Sequence, residues 1–160
     1  MKKKTIIIII SGILLILFDL FTKYLITKYF NVNEGIVLIN NFLKFVYIRN
    51  TGAAFGMLSN NTILLILVTI VLLFYLVKEI LNSKANINLF AYTLIISGAI
   101  GNLIDRVFRK YVVDFISFKL FGHEMAIFNI ADIYITFGII ILIYCIIKEG
   151  RSERVNSKQW

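Results

Sequence analysis

Long apolar stretches alternate with shorter polar ones along this chain. Four of them, residues 5–22 or slightly beyond, 62–77, 89–104 and 130–147, consist almost entirely of aliphatic, aromatic and small residues. Each is close to the ~20 residues that an α-helix needs to cross the hydrocarbon core of a bilayer. The pattern predicts a mainly α membrane protein with four transmembrane helices and both chain termini on one side.

The N-terminal stretch begins like a signal peptide, with three lysines at 2–4 before an apolar run over 6–18. No small-x-small cleavage site follows this run, and apolar residues resume after Asp19. We therefore expect the stretch to remain in the protein as its first transmembrane helix.

The two longer connections contain strand-like sequence. In 34–57, two β-branched and aromatic runs flank Asn40-Asn41, and asparagine tolerates the positive φ of a tight turn. The segment 115–128 is also aromatic, with a turn expected near Gly122-His123. The pattern predicts a small extracytoplasmic β-sheet, and the second connection either adds a strand to it or reaches into the membrane interface.

Lysine and arginine placement predicts the orientation. Nine of the 17 lie in segments on the side of the termini and eight in the other two connections. The segments with the termini are much shorter, so their density of cations is higher. Because cytoplasmic segments carry the excess of positive charge, both termini are expected in the cytoplasm.

Composition supports a single integral-membrane domain over residues 1–160. The chain is 59% hydrophobic, against about 45–50% for soluble domains. Its net charge of +8 comes from cations at the ends of the apolar blocks, where anionic lipid head groups attract them. They form no basic stripe with interleaved aromatics, which excludes nucleic acid as a partner. With one cysteine, Cys145, and one histidine, His123, we expect no metal and no cofactor.

Asp114 and Asp132 are the candidates for chemistry. As a straight helix, the 18-residue interval would separate them by about 27 Å, but the turn near Gly122 indicates a chain that goes out and returns. Two neighbouring carboxylates share one proton. One can then accept a proton from water while the other donates to a carbonyl oxygen, as in an aspartic peptidase. Alternatively, one aspartate caps a helix and the other pairs with an arginine.

Asn129 lies three residues before Asp132 and is the expected N-cap of the last helix. Asp132 is then at the third helical position, where the helix dipole favours a carboxylate. Asp132 is therefore the expected ionised partner, and Asp114 the expected carrier of the proton.

Three further groups of polar residues have weaker signals. Asn102, Asp105 and Arg106 share one helical face, where Arg106 orients a carboxylate, binds a lipid phosphate, or forms an ordinary Asp-Arg end cap. The segment 50–56, with Asn50 and Gly52, either allows close approach of a ligand or forms a turn. Asp19 and Lys23 are four residues apart on the first helix, and we expect them to pair.

Together these motifs resemble the lipoprotein signal peptidases, or signal peptidase II, over nearly the whole chain. The motifs that carry the resemblance are, in order, 50–56, 101–106 (Gly-Asn-Leu-Ile-Asp-Arg), 113–115 (Val-Asp-Phe) and 128–132 (Phe-Asn-Ile-Ala-Asp). The resemblance implies an aspartic endopeptidase of the bacterial inner membrane. Such an enzyme removes the signal peptide of prolipoproteins just before a diacylglyceryl-modified cysteine.

The resemblance also implies roles for individual residues. Asp114 and Asp132 match the catalytic pair, and the positions that line or support the site match Asn50, Gly52, Asn102, Arg106, Asn129, Asp19 and Lys23. The implied partners are diacylated prolipoproteins and membrane lipids, and the expected state is a monomer. The chain departs from the common family pattern at Leu20, Ala126 and Ile133, positions that bear on substrate fit.

Two other classes of function remain open at this point. A small proton-coupled carrier would use Asp105, Arg106 and Asp132 as a relay, and it should have polar residues throughout the membrane depth. A non-enzymatic membrane scaffold would need neither Asp114 nor Asp132. The clustering of polar residues at one end of the helices favours an enzyme at the membrane interface.

Overall fold

The computed structural model describes residues 2–53, 58–59, 61–82 and 86–156. The elements are, in chain order, helix α1 (Lys2–Tyr29), strands β1 (Gly35–Ile39) and β2 (Leu43–Asn50), helices α2 (Thr62–Asn82) and α3 (Asn86–Arg109), strands β3 (Val112–Leu120) and β4 (His123–Glu124), and helix α4 (Ile130–Asn156). Four described helices are long and apolar enough to cross a membrane. The predicted fold class is confirmed.

Helix α3 is the centre of the bundle, because α1, α2 and α4 each pack against it. The α3–α4 contact is close. A Cβ atom at Gly98 would collide with the carbonyl oxygen of Ala131, so only glycine allows the two backbones to approach this far. Of the four helices, α3 has the largest fraction of its apolar, membrane-spanning part buried inside the protein.

A four-stranded antiparallel sheet, in the order β1-β2-β3-β4, joins the helix ends opposite the chain termini. Asn41 has a φ of 57° in the β1–β2 turn, which confirms the predicted turn residue. Phe121 and Gly122, with φ values of 50° and 84°, form the turn after β3. The second connection therefore adds strands to the sheet, and of the two predicted alternatives the first is correct.

The sheet packs onto the end of α1 and the start of α4. Its core contains Ile26 of α1 and Tyr47 of β2 with Val113, Phe115 and Ile116 of β3. An isolated bridge between Ile116 and Phe128 then returns the chain to β3 just before α4 begins. The chain between Asp114 and Asp132 thus goes out and comes back, as predicted, and both aspartates lie at the sheet end of the bundle.

Candidate active site

The two aspartates are linked through Asn129, the residue that precedes α4. The Asn129 carboxamide donates through Nδ2 to Asp114 Oδ1 at 2.7 Å. Its backbone N–H donates to Asp132 Oδ2 at 3.1 Å, and its Oδ1 accepts from the backbone N–H of Asp132, also at 3.1 Å. These reciprocal bonds are those of a capping box with an aspartate at the third helical position. Asn129 is therefore both the N-cap of α4 and the connection between the two carboxylates.

Strand pairing places Asn50 beside Asp114. In the β2–β3 register, Ile48 lies opposite Asp114 and Asn50 lies opposite Val112. Asn50 thereby reaches Asp114 diagonally, and its Nδ2 donates to Asp114 Oδ2 at 2.8 Å. The Asn50 oxygen in turn accepts from the backbone N–H of Gly52 at 2.9 Å. The 50–56 motif therefore begins with a turn, and the carboxamide of Asn50 points to the carboxylate of Asp114. Residues 54–56 of that motif lie outside the described residues.

Asp114 has a perturbed pKa. Burial, followed by the negative charge of Asp132, raises the pKa of Asp114 to about 7. The N–H donors of Asn50 and Asn129 oppose this rise because they stabilise the charged form. Near neutral pH the carboxyl group of Asp114 is therefore divided between its protonated and ionised forms, which suits a group that must carry a proton.

Asn102 of α3 completes the set of donors. Its Nδ2 donates to Asp132 Oδ1 at 2.8 Å. Its Oδ1 accepts from Asn129 Nδ2 at 3.1 Å and from Lys23 Nζ at 2.9 Å. Each of the four oxygens of Asp114 and Asp132 thus accepts one N–H hydrogen bond within the site.

A fully buried ion-pair cluster lies behind Asn102. Lys23 Nζ is 2.8 Å from Asp19 Oδ2, which confirms the predicted pair, and 3.3 Å from Asp105 Oδ2. Asp105 also pairs with Arg109 at 3.1 Å and accepts from the backbone N–H of Val113. Of the alternatives left open for Arg106, the structure does not form the Asp105–Arg106 end cap, because Asp105 pairs with Lys23 and Arg109.

Asp19 ties α1 to the other helices of the site. Its Oδ1 accepts from the backbone N–H of Ala131 at 2.9 Å, across 112 residues of sequence. A Cβ atom at Gly101 would lie 2.5 Å from Asp19 Oδ2, so glycine is needed for the carboxylate to fit against α3. Asp19 therefore fixes the start of α4, and with it Asp132, relative to α1 and α3.

A cavity of about 380 Å³ opens beside the two aspartates. It has polar walls at Asn50, Asn102, Asp114 and Asp132. Its other lining residues are Ala53, Thr69, Leu72, Ala99, Arg106, Val112, Ala126, Ile127, Phe128, Ile135 and Thr136. Both carboxylates therefore face a space with polar and apolar walls that is large enough for a peptide segment or part of an acyl chain.

Arg106 borders the same cavity. Its Nη2 donates to the backbone carbonyl of Gly52 at 3.0 Å, and its buried Nε has no hydrogen-bond partner among the described residues. Arg106 thereby joins α3 to the chain that leaves β2. Its guanidinium faces the space in front of the aspartates with donor capacity to spare.

All nine residues that the resemblance matched to the site lie in this one cluster, and Asp105 lies beside them. Residues that sequence reasoning missed are Thr69 and Leu72, which bring α2 to the cavity wall. Thr69 interrupts the apolar run of α2, but a lone threonine there does not indicate a site, and nothing in the sequence marks Leu72. Of the three departures from the family pattern, Ala126 lines the cavity, whereas Ile133 packs against the core between sheet and helices.

Comparison with known proteins assigns the family. The sequence model of the Signal peptidase (SPase) II family matches residues 11–148. The chain is 47% identical over 134 residues to a lipoprotein signal peptidase of Caldanaerobacter subterraneus subsp. tengcongensis, covering 82% of this chain and 90% of that protein. It is 44% identical over 151 residues to the lipoprotein signal peptidase of Clostridium tetani, covering 92% and 95%.

Solved structures agree with the sequence matches. One bacterial membrane enzyme superposes with a TM-score of 0.84 at 35% identity, covering 89% of this chain and 88% of its own. A second superposes with a TM-score of 0.81 at 36% identity, covering 88% and 92%. The chain therefore belongs to the signal peptidase II family of membrane peptidases.

Proposed function

We propose that the protein is an aspartic endopeptidase that removes the signal peptide from diacylglyceryl-modified prolipoproteins, cutting just before the lipidated cysteine. The observation that carries this proposal is the pair of aspartates, Asp114 and Asp132, held by shared asparagine donors at the wall of one cavity. The names of the relatives, all lipoprotein signal peptidases, supply the substrate class.

The chemistry follows from the environments of the two carboxylates. Asp132 acts as the base and takes a proton from a water molecule, whose oxygen attacks the carbonyl carbon of the residue before the cysteine. Asp114, whose pKa is raised to about 7, gives its proton to the carbonyl oxygen. The proton held by Asp132 then passes to the cysteine nitrogen, the C–N bond breaks, and the newly formed carboxyl returns a proton to Asp114.

The position of the site suits a substrate that arrives within the membrane. A signal peptide and two acyl chains are apolar, so an enzyme that cuts between them must receive both from lipid while it admits water at the cut bond. The cavity has aliphatic walls at Leu72, Ala99 and Ile135 and a polar end at the sheet. This arrangement suits cleavage at a membrane interface better than in its interior.

The direct test is cleavage by variants of the two aspartates. We expect Asp114→Asn and Asp132→Asn each to abolish the mobility shift of a diacylated prolipoprotein on a gel, because an amide keeps the shape but cannot share or accept the proton. Both variants should insert and fold, as judged by monodisperse purification and a cooperative melt. Near-normal cleavage by either variant would exclude the two aspartates as the catalytic pair. The scaffold alternative, in which neither aspartate is needed, would then stand.

We also propose that the protein lies in the bacterial cytoplasmic membrane with both termini in the cytoplasm and the site at the extracytoplasmic face. With Cys145 replaced by alanine, single cysteines introduced at Asn40, in the β1–β2 turn, and at Lys119, in β3, should react from outside with a membrane-impermeant thiol reagent. A cysteine at Ser157, which lies outside the described residues, should react only after permeabilisation. The reverse pattern would overturn this orientation.

A further inference from the structure

The asparagines of the site share one structural feature: in each, the side-chain oxygen accepts a hydrogen bond from a group that can only donate. The oxygen of Asn50 accepts from the backbone N–H of Gly52 at 2.9 Å. The oxygen of Asn129 accepts from the backbone N–H of Asp132 at 3.1 Å. A carboxamide has an acceptor on one side and donors on the other, so a fixed donor at its oxygen leaves the NH₂ group facing the carboxylate.

Asn102 differs, because a charged side chain from another helix meets its oxygen. Lys23 Nζ donates to Asn102 Oδ1 at 2.9 Å, and on the far side of the same amide Nδ2 donates to Asp132 Oδ1 at 2.8 Å. An ammonium, an amide and a carboxylate thus lie in series. Hydrogen bonds in such a series polarise one another, so the positive charge at one end strengthens the N–H donor at the other.

Lys23 cannot reach a substrate. Its side chain has no exposed surface, and two carboxylates, Asp19 and Asp105, compensate its charge. A buried lysine that served only to join helices would need no contact with a residue of the reaction site. Here the ammonium of Lys23 contacts both Asp19 and Asp105, and it also donates to the carboxamide of Asn102 that contacts Asp132.

We propose that Lys23 is a positioning residue for the reaction: through Asn102, its ammonium holds an N–H donor on Asp132 and favours the ionised carboxylate that acts as the base. This inference rests on the proposed function of Asp114 and Asp132. Asn129 also donates to the Asn102 oxygen, at 3.1 Å. If Lys23 is lost, the bond from Asn129 should still keep the Asn102 carboxamide in its present orientation. The carboxamide should, however, be held less firmly, and its N–H donor to Asp132 should be less polarised.

The test is the pH dependence of cleavage in a charge-balanced variant. Lys23→Met alone would leave the buried carboxylate of Asp19 without its cation and risks unfolding, so Lys23→Met is combined with Asp19→Asn. We expect kcat to fall about tenfold or more and the acidic limb of the pH–rate profile to move up by about one pH unit, because the base loses a favourable charge and a firm donor. KM should stay within about threefold, since Lys23 does not contact substrate.

Asp19→Asn alone is the matched control, since it keeps the ammonium beside Asn102 and an oxygen for the N–H of Ala131. Its acidic limb should stay in place. A double-variant shift that equals that of this control, or a loss explained wholly by a smaller folded fraction, would overturn the proposal.

A second variant keeps the proposal testable if the double variant fails to fold. Asn102→Leu removes the intermediary and keeps the Lys23–Asp19 pair, so it should move the acidic limb in the same direction. Adding the Lys23 and Asp19 changes to Asn102→Leu should then move it little further. An unmoved limb in Asn102→Leu, or fully additive shifts, would refute the route through Asn102. If Asp114→Asn or Asp132→Asn cleaves normally, it is the proposed function that fails, whatever the Lys23 variants do.

Discussion

The two ends of the helix bundle satisfy their polar groups in different ways. Toward the end with the chain termini, Ser11 donates to the carbonyl of Ile8 and Thr93 to the carbonyl of Leu89, each within its own helix, while Ser97, nearer the middle of α3, donates at 3.3 Å to the carbonyl of Gly12 in α1. At the sheet end, Asp19, Lys23 and Asn102 bond from side chain to side chain or to backbone between α1, α3 and α4. A hydroxyl bonded to its own helix needs nothing from its neighbours, whereas a network between helices holds only if every helix is in place.

This difference bears on the class of function. Residues 62–77, 86–104 and 133–147 contain no charged side chain, so the charges of α2, α3 and α4 are confined to the helix ends. A proton-coupled carrier needs polar groups through the membrane depth. Its proposed relay is also divided in the structure, since Asp105 pairs with Lys23 and Arg109 while Arg106 donates to Gly52. The comparison favours a site at one interface.

The largest expected effect compares one asparagine from each end. Asn129→Leu removes a donor from each aspartate and the cap of α4, and we expect kcat to fall about 10³-fold. Asn88, near the start of α3, has a buried oxygen without a partner among the described residues, so Asn88→Leu should change kcat less than about twofold and leave stability equal or higher. The measurement is cleavage of a diacylated prolipoprotein. Similar losses in both variants would show that the two ends do not differ in function.

The next effect concerns the lipid of the substrate. Each buried methylene contributes about 0.8 kcal/mol, so a prolipoprotein without its diacylglyceryl group should be cleaved about 10²-fold less efficiently, mainly through weaker binding. Arg106→Ala should reduce kcat/KM further, because Arg106 borders the cavity and holds the carbonyl of Gly52. Matched substrates with and without lipid are compared in one detergent. Equal rates would mean that the enzyme reads peptide alone.

Local rules were enough to predict much of this sheet end. The length of the apolar stretches predicted the four helices, although α1, predicted over residues 5–22 or slightly beyond, continues to Tyr29. Asn129 is the N-cap of α4 because an asparagine three residues before an aspartate satisfies the first N–H groups of a helix, a rule that needs no tertiary information. The pairing of Asp19 with Lys23 followed from their spacing in the same way.

Contacts that depend on tertiary packing could not be predicted. Lys23 and Asn102 are 79 positions apart, and no local pattern relates them. By its position next to Asp114, Phe115 could equally line the cavity. It is instead buried in the core beneath the sheet, because alternation along β3 turns it toward α1 when Asp114 faces the cavity. The orientation of a strand was needed to separate these two roles.

A smaller effect tests whether the ionised carboxylate of Asp114, at the sheet end, lowers the stability of the folded protein. Asp114 has a pKa of about 7 in the folded protein, against 3.8 for an unperturbed carboxyl. Folding therefore favours the protonated form, and stability that is fully present below about pH 4 is lost as the pH rises through 7. Asp114→Asn stays neutral, so its Tm should exceed the wild-type Tm by several degrees at pH 8, and the difference should shrink at pH 5. A constant difference at both pH values would contradict the raised pKa.

The smallest expected effect concerns an exposed polar pair. It tests whether a pair that lies at the sheet end can still be outside the functional site. Lys44 and Glu124 lie 2.8 Å apart on the sheet, but both are exposed to solvent, and water screens the pair. Glu124→Gln should therefore change Tm by no more than about 1 °C and leave kcat unchanged. Lys44→Met serves as the matched change on the other partner. A large loss of activity in both variants would mean that the functional region extends across the sheet to this pair, and that burial between helices does not by itself mark its boundary.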